Sequence, residues 1–238
     1  MRQDVVLDRS RWRSYYPLVV AALVGAGCTP RLTSIAPVDL VPIPADSAAG
    51  WARAFRPAAP LQYELRWRFE NRQGRSAGRA TVRYAPPDTV RFDYRGPFGR
   101  SGSAVVVGGE AVWAEPEGDF RSLIPVAPVF WAALGVTLPP PAEAMVYGRD
   151  GPRRRAWRYV DGNEAIDFIH LREQSRFLAE LRRDDRIAGV ADVELAAASR
   201  APVGAVMRFP ADGSRLSFTV TSIDTVASHP PETWIREP

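Results

Sequence analysis

One cysteine, two histidines and a scatter of carboxylates are the side chains with which this 238-residue chain could most readily do covalent or acid–base chemistry. His170 falls at the end of an alternating segment, on the face of Ile166 and Phe168, where packing is expected rather than proton transfer. His229 stands before Pro230-Pro231 in a terminal loop. Two separated histidines with no cysteine beside them do not make a zinc set. The paired carboxylates Asp184-Asp185 and Glu115/Glu117 fall in turn or loop sequence, where solvated turn chemistry accounts for them. Gly99-Arg100-Ser101-Gly102 lacks the spacing and the strand-to-helix setting of a nucleophile elbow. No H-E-x-x-H, P-loop or dinucleotide-binding glycine pattern occurs. The sequence predicts neither an enzyme nor a bound cofactor or metal.

The cysteine has a more specific setting. Arg2, Arg9, Arg11 and Arg13 form a basic leader, diluted by Asp4 and Asp8. The apolar stretch 18–24 follows, and then Gly25-Ala26-Gly27-Cys28. That stretch is shorter than the ~20 apolar residues a membrane span requires. A basic region, a short apolar core and small residues before a cut site describe an export signal over 1–27. The sole cysteine directly after the cut resembles the lipobox of bacterial lipoproteins, although Gly25 stands where leucine is usual. The resemblance implies that Cys28 is lipidated and becomes the first residue of the mature chain; the alternative is a buried free thiol. Thr29 in place of aspartate after Cys28 resembles lipoproteins destined for the outer membrane, anchored by lipid and facing the periplasm.

Processing changes the charge. Losing four arginines and two aspartates takes the formal charge from +4 to +2, and all 31 basic residues of the chain are arginine. A domain so nearly neutral lacks the dense basic face of a nucleic-acid binder. The mature chain also has no cysteine with which to form a disulfide.

The elements follow from hydrophobic periodicity. Residues 28–45 contain Pro30, Pro37, Pro42 and Pro44 and are expected to form a tether reaching about 55 Å when extended. Asp46-Ser47 offers an N-cap to a short helix carrying Trp51 and Phe55 on one face, ended by Pro57 and Pro60. The period then becomes two: Leu61, Tyr63, Leu65, Trp67 and Phe69 alternate with five polar residues. The same alternation marks strands over 78–84, 90–94, 103–107 and 111–114. After an interruption it returns at 156–160, 165–170, 176–181, 187–195, 203–209 and 216–223.

Short connections between consecutive strands favour an antiparallel meander. One face should be apolar and the other, rich in arginine, solvated. The interruption holds Pro128–Gly135, a helix with proline at its start and glycine at its end, and residues 142–147, read as one more helical turn. The expected fold is thus mainly β with short helices (α+β): an open antiparallel half-barrel of about eleven strands capped by helices around an apolar cavity. One domain spans 46–225, with a C-terminal extension over 226–238.

Two motifs resemble LolB, the outer-membrane lipoprotein receptor, within the LolA/LolB lipoprotein-localisation superfamily. Gly96-Pro97-Phe98-Gly99 followed by a strand resembles that family's loop with a protruding apolar residue, and Phe98 takes its place. Ile124-Pro125-Val126 through Leu134-Gly135 resembles the family's proline-led helix, with Trp131 displaced by one residue. The resemblance spans most of 46–225. It implies an apolar cavity with Leu65, Trp67, Phe69, Val82, Tyr84, Phe92 and Tyr94 on one wall. Phe130, Trp131 and Leu134 would cover it, and Phe168 would line the later strands. It further implies acyl chains of lipoproteins or other lipids as ligands, a membrane-insertion role for Phe98, and a LolA-like periplasmic carrier as donor. Three functions fit: a lipoprotein acceptor and inserter, a carrier of another lipid or glycolipid, and a structural envelope module with a filled core.

Overall fold

In the computed structural model, residues 32–118 and 126–236 are described. The expected signal sequence 1–27, Cys28, Thr29, Pro30 and the Ile124-Pro125 start of the helix motif lie outside them.

The alternation predicted at each strand is what builds the sheet. Its strands are β1 (Val41–Pro42), β2 (Leu61–Asn71), β3 (Gly74–Ala85), β4 (Thr89–Arg95), β5 (Ser101–Val107) and β6 (Glu110–Glu115). The later set is β7 (Met145–Asp150), β8 (Arg154–Asp161), β9 (Glu164–Leu171), β10 (Arg176–Arg183), β11 (Arg186–Leu195), β12 (Pro202–Phe209) and β13 (Ser214–Thr225). Helices α1 (Ala45–Arg53) and α2 (Ala127–Ala133) complete the set of elements discussed.

All thirteen strands form one antiparallel sheet in the order β1-β7-β8-β9-β10-β11-β12-β13-β2-β3-β4-β5-β6. Each run is a meander, and the β13–β2 pair joins the late run to the early one. The sheet does not close, since β1 and β6 stand at opposite edges. Register shifts at Val105/Val106, Leu181/Arg182, Glu194/Leu195 and Val220/Ser222 add the extra residues that bend and twist such a sheet.

Thirteen strands replace the expected eleven, at two places. Residues 145–150 form β7 and not a helical turn. Met145, Tyr147 and Arg149 alternate with Val146 and Gly148, and β8 supplies a partner along the whole segment. Val41–Pro42, expected in the tether, adds β1 outside β7. A two-residue edge strand suits proline, whose missing N–H faces away from the ladder. The cap of α1 also differs: Pro44 occupies the N-cap position with no side-chain hydrogen bond, and the helix ends before Phe55.

The inner face carries one continuous core. Tyr63, Leu65, Trp67 and Phe69 of β2 are buried with Val82 and Tyr84 of β3, Phe92 and Tyr94 of β4, and Trp157 and Phe168 of the far wall. Helix α2 packs on β10, β11 and β12. Its Phe130 ring meets Phe92 at 5.7 Å and its Trp131 ring meets Tyr84 at 6.5 Å, so one short helix bridges both halves of the sheet. Pro128 starts it, and Gly135 (φ 74°) ends it in a left-handed conformation open to glycine at no steric cost.

Candidate functional site

The residues expected to line a cavity are brought together as one buried core. Phe130, Trp131 and Leu134 lie fully under the sheet's inner face, and the Tyr63 hydroxyl donates to Leu134 O at 3.3 Å. On the opposite wall α1 and the residues after it close the space. Trp51 meets Trp157 edge-on at 6.2 Å, and the Phe55 ring lies 4.7 Å from Phe177 and 4.8 Å from His170. Thr137 Oγ1 donates to Ala52 O at 2.8 Å and ties α1 to the segment after α2. Two open depressions, of about 1170 and 1610 Å³, border this core, with Trp67 and Phe218 lining the first and Tyr94 the second. The first is also bordered by Arg66, Arg68, Arg79 and Asp192; the second by Arg83, Arg91, Asp93 and Trp113.

The polar groups within this core are notable for what they lack. Trp131 Nε1, Trp157 Nε1 and Tyr159 Oη are buried without a hydrogen-bond partner, as is Arg56 Nε. Burial pushes the Tyr84 and Tyr159 phenols up to about 12, with the nearby Arg56 guanidinium opposing the rise in both. Burial likewise lowers the His170 imidazole to about 4, helped by Arg200, Arg172 and Arg155. His170 is therefore a packed, neutral side chain among aromatics.

The loop between β4 and β5 is the reverse of the core. A single turn of 3-10 helix, Pro97–Gly99, is closed by Gly96 N–H donating to Arg100 O at 2.7 Å. Phe98 at its tip is 103% exposed and adopts φ 56°, ψ 33°, a left-handed conformation that costs a bulky L-residue about 1–2 kcal/mol. Arg95 and Arg100 flank it, both exposed.

The other chemistry-bearing residues are placed apart. Asp184 and Asp185 form a tight turn in which Asn163 Nδ2 donates to Asp184 Oδ1 at 2.9 Å. Glu115 accepts from Arg236 Nε at 3.1 Å. His229 Nε2 lies between Leu61 O and Tyr84 O, with its ring edge-on to Trp234. Residues 226–236 thereby lie against the sheet, and Trp113 Nε1 donates to Trp234 O.

Alternation alone missed one cluster. On the outer face, expected to be solvated, Asp167 and Glu180 are both 0% exposed. Asp167 accepts from Arg158 Nε at 2.7 Å and from Arg182 at 3.0 Å. Glu180 accepts from Ser34 Oγ at 2.6 Å and from Ile35 N–H at 2.7 Å. Arg158 also reaches Pro37 O, and Asp39 pairs with Arg154 and Arg149. Residues 34–39, read as free tether, are a strap over β8, β9 and β10. No local period sets Asp167 and Glu180 apart from the other acids of that face, among them Glu64, Glu70, Asp93 and Asp192.

An open antiparallel half-barrel with helices across its inner face is the LolA-type fold. A LolA superfamily protein from Nitrosomonas europaea matches with a TM-score of 0.55, 9% identity, and coverage of 82% of this chain and 98% of its own. A DUF1329 family protein from Desulfovibrio piger matches with a TM-score of 0.50, 8% identity, and coverage of 80% and 95%. No protein-family model matches the sequence, and no curated protein does. The likeness is one of fold.

Proposed function

We propose that this chain is an outer-membrane lipoprotein, anchored through Cys28, that takes up the acyl chains of other lipoproteins beneath α2 and helps insert them into the membrane. It acts by binding, without catalysis. Exposed acyl chains cost about 0.8 kcal/mol per CH₂, so a protein handling them must offer an equivalent apolar surface. Here that surface is the inner face of the sheet, at present occupied by α2 and by Phe55. These two are the parts whose displacement would make room.

The observation that carries the reading is Phe98. A fully exposed phenylalanine held in left-handed backbone is costly twice over, in hydration and in strain, and nothing in the domain packs on it. An aromatic tip between two arginines suits the interface of an anionic bilayer, where rings are at home. The fold likeness supports the same reading at the level of the scaffold.

The test is native mass spectrometry on a soluble form beginning at Thr29, offered a triacylated lipopeptide and phospholipids. Stoichiometric capture of the lipopeptide, with transfer to liposomes slowed by Phe98→Glu and capture unchanged, supports the receptor. Selective capture of phospholipid redirects the reading to a lipid carrier on the same fold. Capture of neither overturns both and leaves a structural envelope module.

A further inference from the structure

Several polar groups of the inner core are unmatched, and those on and beside β8 can each donate a hydrogen bond. Trp157 and Tyr159 are alternate residues of β8, so both project inward from adjacent positions on one strand. Trp157 is 0% exposed and Tyr159 4%, and neither the indole N–H nor the phenol O–H has a partner. The indole N–H lies near enough to the Tyr159 oxygen to favour the phenolate, yet outside hydrogen-bond geometry. Arg56 adds a buried, unpartnered Nε and a positive charge close to both Tyr159 and Tyr84. Trp131 Nε1, on the wall where its ring meets Tyr84, is the fourth such group.

Native cores leave few buried polar groups unmatched, because each costs about 1–3 kcal/mol. Each of these groups can donate, so a ligand that brings acceptors would match them. The Phe55 ring lies against Trp157, 5.9 Å away, and directly precedes Arg56 in sequence. Withdrawing it would uncover the donors at the end of an aromatic trough.

We infer that Arg56, Trp157 and Tyr159 form the polar end of the ligand site and bind the carbonyl oxygens through which acyl chains are joined to glycerol or to an α-amine. This rests on the acyl-binding reading above and adds what that reading lacks, a point that fixes where along the trough the chain begins. Apolar walls hold an acyl chain without fixing its register, whereas a carbonyl held by two or three donors fixes its depth and direction. The shared chemistry covers the ester and amide carbonyls of a triacylated lipoprotein and the two esters of a phospholipid.

The experiment is a competition, read by native mass spectrometry on the form beginning at Thr29. It sets a diacyl phosphatidylcholine against its dialkyl ether analogue with the same chain lengths; triacylated lipopeptide is offered separately. Carbonyl recognition predicts at least a fivefold preference for the ester lipid. Tyr159→Phe and Trp157→Phe should each bring the ratio towards one while total occupancy persists. Tyr159→Phe should also leave the empty protein as stable as before or more so, because it removes an unmatched hydroxyl, and this separates loss of recognition from misfolding. An ester-to-ether ratio near one, with good occupancy, overturns the carbonyl site and leaves the acyl-binding reading standing. Failure of all three probes to bind overturns both. Capture of the lipopeptide alone, unaffected by Tyr159→Phe and Trp157→Phe, also overturns the carbonyl site.

Discussion

Ser34 Oγ donates to Glu180 Oε1 at 2.6 Å across 146 positions of sequence, and the next residue's N–H donates to the same carboxylate. This contact turns most of an expected tether into part of the domain. Between Cys28 and the dock only residues 29–33 remain, a reach of about 20 Å where the sequence suggested about 55 Å.

Glu180→Ala should release the strap. It deprives Ser34, Ile35 and Arg182 of their common acceptor, and breaking such a buried set costs about 3–5 kcal/mol. The strap can lift into water, so the loss in urea unfolding should fall at or below the low end of that range. Hydrogen exchange should rise over 33–40. An unchanged exchange pattern would mean the strap is held by Arg158, Asp39 and β1 without Glu180.

Phe98→Gly should stabilise the domain by about 0.5–1 kcal/mol, because glycine takes φ 56° without the steric cost a larger residue bears. Under the proposed function it should at the same time slow transfer into liposomes at least tenfold. Denaturant midpoint and transfer rate measured on one preparation check both. A drop in stability would show that the ring packs on the domain.

The His170 imidazole sits near 4 when folded, below its ordinary value of 6.5. A base whose folded pKa is depressed is protonated more readily in the unfolded chain. Its contribution to stability is therefore fully present above pH 6.5 and is lost as the pH falls from there towards 4. His170→Gln should flatten the stability curve in that window relative to the parent, measured by urea midpoints at successive pH values. Parallel curves would show that the ring is already solvated when folded.

Gly148→Ala should loosen α1. A Cβ there would lie 2.5 Å from Ile43 Cδ1 and 2.6 Å from Trp51 Cζ3, closer than side-chain carbons approach. The expected cost is about 1–3 kcal/mol, with faster hydrogen exchange over 45–53 and a changed Trp51 emission. An effect confined to β1, with α1 exchange unchanged, would mean that Ile43 alone gives way.

Much of the sheet could be read directly from the chain. The alternation of Tyr63, Leu65, Trp67 and Phe69 with charged residues assigns each to a face before any partner is known, because side-chain direction in a strand has period two. The proline start and glycine end of α2 were equally legible. β7 was not: Met145 to Asp150 is short and ambiguous in pattern, and it becomes a strand because β8 lies beside it. β1 exists only through its pairing with β7.

For the candidate site the division is similar. By itself the sequence determined which residues face inward, that Phe98 stands between glycines in a turn, and that Cys28 follows a basic and then an apolar stretch, because these depend on local spacing and local backbone freedom. Only the tertiary structure decided that the inner face is sealed by α2 and Phe55, that Trp157 and Tyr159 keep unmatched donors there, and that Asp167 and Glu180 lie dry beneath a strap. Whether a face is covered depends on segments more than a hundred residues away, and burial of those segments is set by the packing of the whole sheet, which no local period encodes.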